Sequence, residues 1–288
     1  MGLNLGIVAS SKASAAPGAS LLLDTYSGAA AAYSLRRLRT LYTGAAIRVS
    51  RSSDGTQSDI GFNIDGTLDT TTLLSFCGAS NGRIATWYDQ SGNGRNAIGN
   101  ITNSPLIVLI GTLYTLNGQP SVYYDNTAQY LITSNFASAI SQPISTYTVS
   151  KLASLGINAS VIYDSSTTTG FALLHGGFSE PSPGNGNLFF NSGASIGIET
   201  SVVATKLVSV LYNTSTSNVF VNGVQKVTNQ NPGSNALGGI TIGNLRPLGL
   251  YAVYAFFGHI SELVFYPSLQ TGNNAGIQTN INSFYTIY

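Results

Sequence analysis

The chain has 288 residues, 8% of them charged and 43% hydrophobic, with 32 glycines, 16 tyrosines and 12 phenylalanines. A typical globular domain carries roughly 25% charged residues, so Ser, Thr, Asn, Gln and Gly must make this surface polar, while the aromatic and branched residues exclude bulk disorder. Twelve basic residues against eleven acidic ones leave a net charge of +1, too weak a field to gather nucleic acid or an anionic membrane.

No apolar run approaches the roughly 18 residues of a membrane helix. Met1 to Ala16 lacks the basic start and sustained apolar stretch of a standard export signal. A lone Cys77 cannot form an internal disulfide, which is compatible with a reducing compartment.

In chain order, residues 1–20 are small and weakly apolar and close at Pro17-Gly18, which reads as an arm. Its Leu3, Leu5, Ile7 and Val8 suit docking on a neighbouring subunit. The Ala/Leu/Arg content of Ala29 to Tyr42, between Ser27-Gly28 and Thr43-Gly44, predicts a short helix. Ala46 to Arg51 alternates like a strand and Ser52-Ser53-Asp54-Gly55 is a turn. A second helix is predicted over Asp69 to Phe76, with Asp69 or Thr70 as N-cap and Gly78 beyond its end.

After Arg83 the chain is strand-like almost throughout. Candidates include Ile84–Tyr88, Ser121–Tyr124, Ser145–Lys151, Ser160–Tyr163, Phe171–Leu174, Leu188–Phe190, Leu207–Tyr212, Ser217–Val221, Val224–Val227, Ile240–Ile242 and His259–Tyr266. Asn222-Gly223 is a two-residue hairpin signal, because both residues tolerate positive φ. Ile277, Ile281 and Phe284 share helical spacing in a closing helix within Asn273 to Tyr288. Many short strands without alternating helices predict a mainly β sandwich or jelly roll occupying residues 21–288 as one domain.

Two resemblances attach to these segments. Ser217 to Val224, Gly239-Ile-Thr-Ile-Gly243 and Phe257-Gly-His-Ile-Ser-Glu-Leu-Val-Phe-Tyr266 resemble the second half of concanavalin A-like (laminin-G-like) jelly rolls. Tyr42 to Asp54, Ser75-Phe-Cys77 and Trp87-Tyr-Asp-Gln-Ser-Gly-Asn-Gly94 resemble the N-terminal part of jelly-roll α-L-arabinofuranosidase catalytic domains. The same blocks are similar to tailed-bacteriophage structural proteins that share the module. The resemblance implies a cysteine pair across a short loop, but Gly82 stands at the partner position of Cys77. It also implies a general acid, an Asp just after an Ile-x-Gly-Gly strand, where this chain has Thr241-Ile242-Gly243-Asn244-Leu245. Glycoside hydrolysis needs two carboxylates flanking one bond, roughly 5 to 9 Å apart.

The chain has three glutamates, Glu180, Glu199 and Glu262. Glu262 reads as mid-strand, sharing a face with Ile260 and Val264 as a buried carboxylate, and Glu180 as a loop residue. Trp87, Tyr88, Asp89, Gln90 and Asn93 are the ligand-binding candidates: aromatic faces suit a sugar, and Asp and Asn oxygens in a Gly-rich turn suit a sugar hydroxyl or calcium. The competing reading of Asp89 is an Asx turn. His175 and His259 do not make a metal site by themselves, and Cys77 in an apolar run reads as an inert buried thiol. Seven of the eight arginines precede residue 96 among acidic residues, which suggests structural ion pairs or a subunit contact.

The sequence expectation is a non-enzymatic structural protein of a tailed-phage virion, a capsid cement or decoration protein, head fibre, tail fibre or adaptor. It would be made in the host cytoplasm and held in the virion by its arm as a homotrimer against the major capsid protein. Host-surface glycan is a further partner, no catalytic or metal residue is assigned, and no cofactor is required, with calcium left open. The alternatives are a carbohydrate-binding module and an arabinofuranosidase-like glycoside hydrolase.

Overall fold

In a computed structural model, which describes residues 20–100, 103–155, 160–167, 170–175, 187–245 and 254–288, the strand-like segments become two facing antiparallel layers. In the smaller layer the order is Val224–Gln230, Ser217–Val221, Lys206–Tyr212, Ile144–Leu152 and Phe257–Tyr266. The far edge of Phe257–Tyr266 is shared by Ala31–Ser34 and Val122–Asp125. The larger layer runs Ser195–Thr200, Asn187–Ser192, Phe171–His175, Ser160–Ser165, Ile240–Ile242, Leu131–Ile132, Ala97–Gly99, Gly82–Trp87, Ile47–Arg51 and Gln57–Ile60. Leu106–Leu109 pairs with both Gly82–Trp87 and Val122–Asp125 and stitches the layers together.

The abundance of tyrosine is explained between the layers. Tyr163 meets Phe265 with ring centroids 5.1 Å apart, and Phe171 and Phe190 meet Tyr212 at 4.4 and 5.8 Å. A buried hydroxyl needs a partner, and these form a chain: Thr146 Oγ1 to Tyr163 OH at 2.8 Å, Tyr163 OH to Tyr212 OH at 3.1 Å, and Tyr212 OH donating to the Ala172 carbonyl at 3.1 Å. Tyr163 and Tyr212 thus fill the core with ring area and still satisfy their own polar atoms.

A third layer covers the outer face of the smaller sheet. The closing helix, Asn274–Tyr285, buries Ile277, Ile281 and Tyr285 against Tyr147, Val149, Leu207, Val264 and Tyr266, joined by Leu22 and Leu23 of the short Leu22–Thr25 turn of helix. The second predicted helix is Thr70–Cys77, with the Asp69 carboxylate accepting from Thr72 N and Gly78 at its C-cap. Asn222 and Gly223 have φ of 50° and 79°, as the hairpin requires. Among the described residues no helix is long and apolar enough to cross a membrane.

Two local expectations are corrected. Ala29 to Tyr42 contains no helix: Ala31–Ser34 is a strand, wholly buried and paired with Phe265 through Glu262. Helix propensity is a weak prior, and a sheet edge that needs a partner outweighs it. Ile260 and Glu262 do not share a face, because the register against Ile144–Leu152 jumps at Ser261. This bulge turns Ile260 inward with Leu263 and Phe265 and Glu262 outward with Val264. The arm residues Leu3, Leu5, Ile7 and Val8 lie outside the described residues.

Candidate functional site

Trp87-Tyr-Asp-Gln-Ser-Gly-Asn-Gly94 acts as a clamp on residues 29–38. The Asp89 carboxylate, 4% exposed, accepts from Ala32 N and Ser91 N at 2.9 Å through Oδ1, and from Ser91 OH at 2.8 Å and Arg95 N at 3.0 Å through Oδ2. Gln90, wholly buried, accepts from Leu38 N at 2.8 Å and donates to the Ser34 and Arg36 carbonyls at 3.0 Å. Asn93 Nδ2 donates to the Ala29 and Ala30 carbonyls at 3.0 and 3.1 Å. Backbone groups of the 29–38 segment that a helix would pair internally are therefore met by these side chains. Trp87 is buried against Tyr33, and Tyr88 OH donates to Asp59, itself bridged to Arg48. Of the five predicted ligand contacts, Asn93 reaches a surface cleft of about 620 Å³, together with Ser91, Arg39, Arg95 and Asp24.

The segment where the resemblance implies an acid is differently filled. Ile242 pairs with Tyr163 and Leu131, and Gly243 N donates to the Ile162 carbonyl at 2.9 Å. Asn244 is wholly buried, its Oδ1 accepting from Leu245 N at 2.7 Å, and Leu245 packs with Val161, Ala172 and Leu174. An amide tolerates this apolar setting without the desolvation cost of a carboxylate. Asp164 is the carboxylate on the neighbouring strand, opposite Thr241 and buried, with Oδ1 accepting from Phe171 N at 3.2 Å. Sequence reasoning missed Asp164; its signal was a charge inside the otherwise apolar Ser160–Ser165 strand.

The remaining titratable groups are tied down. Glu262 accepts from Arg36 Nε and Nη2 at 2.8 and 3.0 Å, from Ser34 OH at 2.7 Å and from Tyr285 OH at 3.3 Å. Burial opposes the Arg36 charge, but the attraction and hydrogen bonds of Glu262 outweigh it and hold the guanidinium pKa above its ordinary value. Glu199 pairs closely with Lys206 and at 3.3 Å with Lys226. His175 bonds Ser201 through Nδ1, and burial together with nearby Lys206 pushes its pKa down to about 3. His259 bonds Ser121 and is pushed down to about 4, first by burial and then by Lys151. Glu180 lies outside the described residues.

The Cys77 thiol is buried, which raises its pKa, as an inert thiol requires. A Cβ added at Gly82 would lie 2.7 Å from Cys77 Sγ, so the two positions face each other as the resemblance implies. Among the described residues no three His, Cys, Asp or Glu side chains gather into a metal centre. The Asp89 oxygens, which the calcium reading requires, are filled by four N–H and O–H donors.

Residues 24–174, just over half the chain, match the family described as alpha-L-arabinofuranosidase B, catalytic. A probable alpha-L-arabinofuranosidase B of Aspergillus flavus is 36% identical over 126 residues, covering 43% of this chain and 23% of that protein. Alpha-L-arabinofuranosidase B of Aspergillus oryzae matches with the same identity and coverage. The matched part is thus about a quarter of either relative's length. Among solved structures, an arabinofuranosidase complexed with arabinofuranosyl-alpha-1,2-xylobiose superposes with a TM-score of 0.66 at 19% identity, over 91% of this chain and 64% of that one. A GH54 arabinofuranosidase soaked with a cyclic sulfate inhibitor gives 0.65 at 17% identity with the same coverage. These likenesses show the mainly β, jelly-roll-like sandwich fold.

The family match overturns the virion reading in all its parts: the capsid or tail role, the homotrimer on the major capsid protein, the virion location and the non-enzymatic assignment. The physical reason lies in the clamp. The Trp87 to Gly94 block, read as shared with phage proteins, spends its side chains on holding the fold, so it reports the module and not where the module is used. The chain belongs to the alpha-L-arabinofuranosidase B catalytic-domain family.

Proposed function

We propose that the chain is a glycoside hydrolase that releases α-L-arabinofuranosyl groups from a glycan, with residues 21–288 as its working unit. The observation that carries this reading is the family match over residues 24–174, which reaches from the Leu22–Thr25 turn to the Phe171–His175 strand. The reaction protonates the leaving glycosidic oxygen and adds water at the sugar's anomeric carbon, and it draws on carboxylates at that bond. Asp164 is the candidate for one of them, because its strand is hydrogen-bonded to Ile240–Ile242, whose end is where the family resemblance implies the acid. Glu199 and Glu262 are already committed to cations.

The test is release of nitrophenol from 4-nitrophenyl α-L-arabinofuranoside by the full chain. Turnover that falls at least 100-fold in Asp164→Asn, with an unchanged circular dichroism spectrum, supports both the reaction and the residue. Turnover unaffected by Asp164→Asn removes the residue. Sugar binding without any turnover by the unaltered chain overturns the hydrolase reading.

A further inference from the structure

The cleft beside the clamp has a chemistry that the hydrolysis of a neutral arabinofuranoside does not use. Two guanidinium groups, Arg39 and Arg95, line it together with one carboxylate, Asp24, whose oxygens accept from Thr40 N and OH. Arg39 Nη1 donates to the Ser91 carbonyl at 3.1 Å and lies beside Gly92, whose φ of 95° favours glycine. Arg95 Nη1 donates to the Ala30 carbonyl at 3.2 Å, and its guanidinium stacks over the Phe136 ring at 3.9 Å. Neither forms an ion pair among the described residues, whereas Arg36, Arg48 and Arg51 each have a carboxylate partner. A fixed guanidinium with donors to spare matches a planar carboxylate.

The rest of the lining is suited to a sugar ring. Leu41, 76% exposed, Ile140 and Pro267 give apolar lining, beside Ser91 and Asn93, whose hydroxyl and amide N–H already donate within the clamp. Large exposed leucines that face a polar cleft are informative where isolated ones are not. The Pro267 end of the cleft is set apart from Asn244. Phe256 N donates to the Gly243 carbonyl at the start of the Phe257–Tyr266 strand, and Pro267 follows its other end, ten residues on. At about 3.3 Å per residue the Pro267 end lies on the order of 30 Å from Gly243, while the Ile140 end, bridged to Leu237, comes within a few residues of Ile240–Ile242.

We infer that this cleft is a second carbohydrate site, which takes a uronic acid residue by its carboxylate through Arg39 and Arg95. The proposal rests on the glycan reading above, and it gives the chain a preference for arabinofuranosyl substrates whose backbone carries acidic sugars. Its role is retention of the polymer, so it acts on binding and not on the bond-breaking step.

Isothermal titration of the full chain with xylotriose bearing one glucuronic acid, with plain xylotriose and with inorganic phosphate tests it. Binding of the acidic trisaccharide at least tenfold tighter than either comparison, lost at least tenfold in Arg39→Gln and Arg95→Gln, supports it. Because both arginines also hold loop carbonyls, Leu41→Asp is the second variant: it adds a repelling charge at an exposed rim position and should weaken the acidic sugar while leaving nitrophenyl arabinofuranoside turnover unchanged. Equal affinity for plain xylotriose, phosphate binding as tight as the acidic sugar, or full affinity in Leu41→Asp overturns the proposal. The titration does not depend on turnover, so failure of the hydrolase reading and failure of the cleft are read separately.

Discussion

Glu262 and Glu199 sit in strands of the same sandwich and both face cations, yet their surroundings differ. Glu262 lies mid-strand under the closing helix, with no exposed side-chain surface, gripped by the two-pronged Arg36 fork that also stacks 5.1 Å from the Phe284 ring. Glu199 lies on the edge strand Ser195–Thr200 with its side chain 20% exposed, between Lys206 and Lys226. A sealed layer needs the fixed geometry of guanidinium, because neither water nor a rotamer change can relieve a misplaced charge there. Glu199 keeps one side in water, and the exposed Lys226 shares it with the buried Lys206. With so few charges in the chain, these pairs hold elements together and leave little for long-range electrostatics.

The comparison is broken most forcefully at Glu262. Glu262→Gln strands the Arg36 charge beneath the helix and should cost about 3–5 kcal/mol in urea unfolding, while the double change with Arg36→Met should recover most of it. A single-variant loss under roughly 1 kcal/mol would mean that Arg36 reaches another partner, and the contrast with the edge would fail.

Acid sharpens the edge region next. The His175 pKa of about 3 lies below its ordinary value, so the unfolded chain takes up the proton first as pH falls. The stability present above about pH 6.5 is therefore lost progressively toward pH 3, on the order of 3 kcal/mol by pH 4.5. His259 adds to the same trend. The gap between unfolding midpoints at pH 7.5 and 4.5 should narrow in His175→Gln, with His259 supplying the remainder; an unchanged pH slope in that variant would show that His175 is not the group. A smaller effect belongs to Glu199→Gln, about 1–3 kcal/mol, since Glu199 is partly exposed and Lys226 is solvated, although the buried Lys206 loses its nearest anion. A loss as large as that of Glu262→Gln, by the same denaturant titration, would erase the difference between edge and interior.

Local signals were legible where one residue's own conformation decides. Asn222-Gly223, the Asp69 cap and the Ile277/Ile281 face of the closing helix needed nothing beyond their neighbours in sequence. Ala31–Ser34 was not legible, because its strand exists through Phe257–Tyr266, over two hundred residues away, and through Asp89 and Gln90. The candidate site divides similarly. The Trp87 to Gly94 block stands out in the sequence as polar and Gly-rich, but whether its polar atoms meet backbone or ligand depends on a segment sixty residues earlier.

The low charge, the turn-punctuated strands and the amide at position 244 follow from the sequence by itself, and with them the mainly β sandwich. Tertiary structure alone decided that Glu262 faces a helix and not the core, since one extra residue at Ser261 reverses the alternation. It alone also decided that Arg39 and Arg95, 56 positions apart, line one cleft. Hydrophobic period and turn chemistry are properties of adjacent residues, whereas register, bulges and shared clefts are set by which distant strands meet.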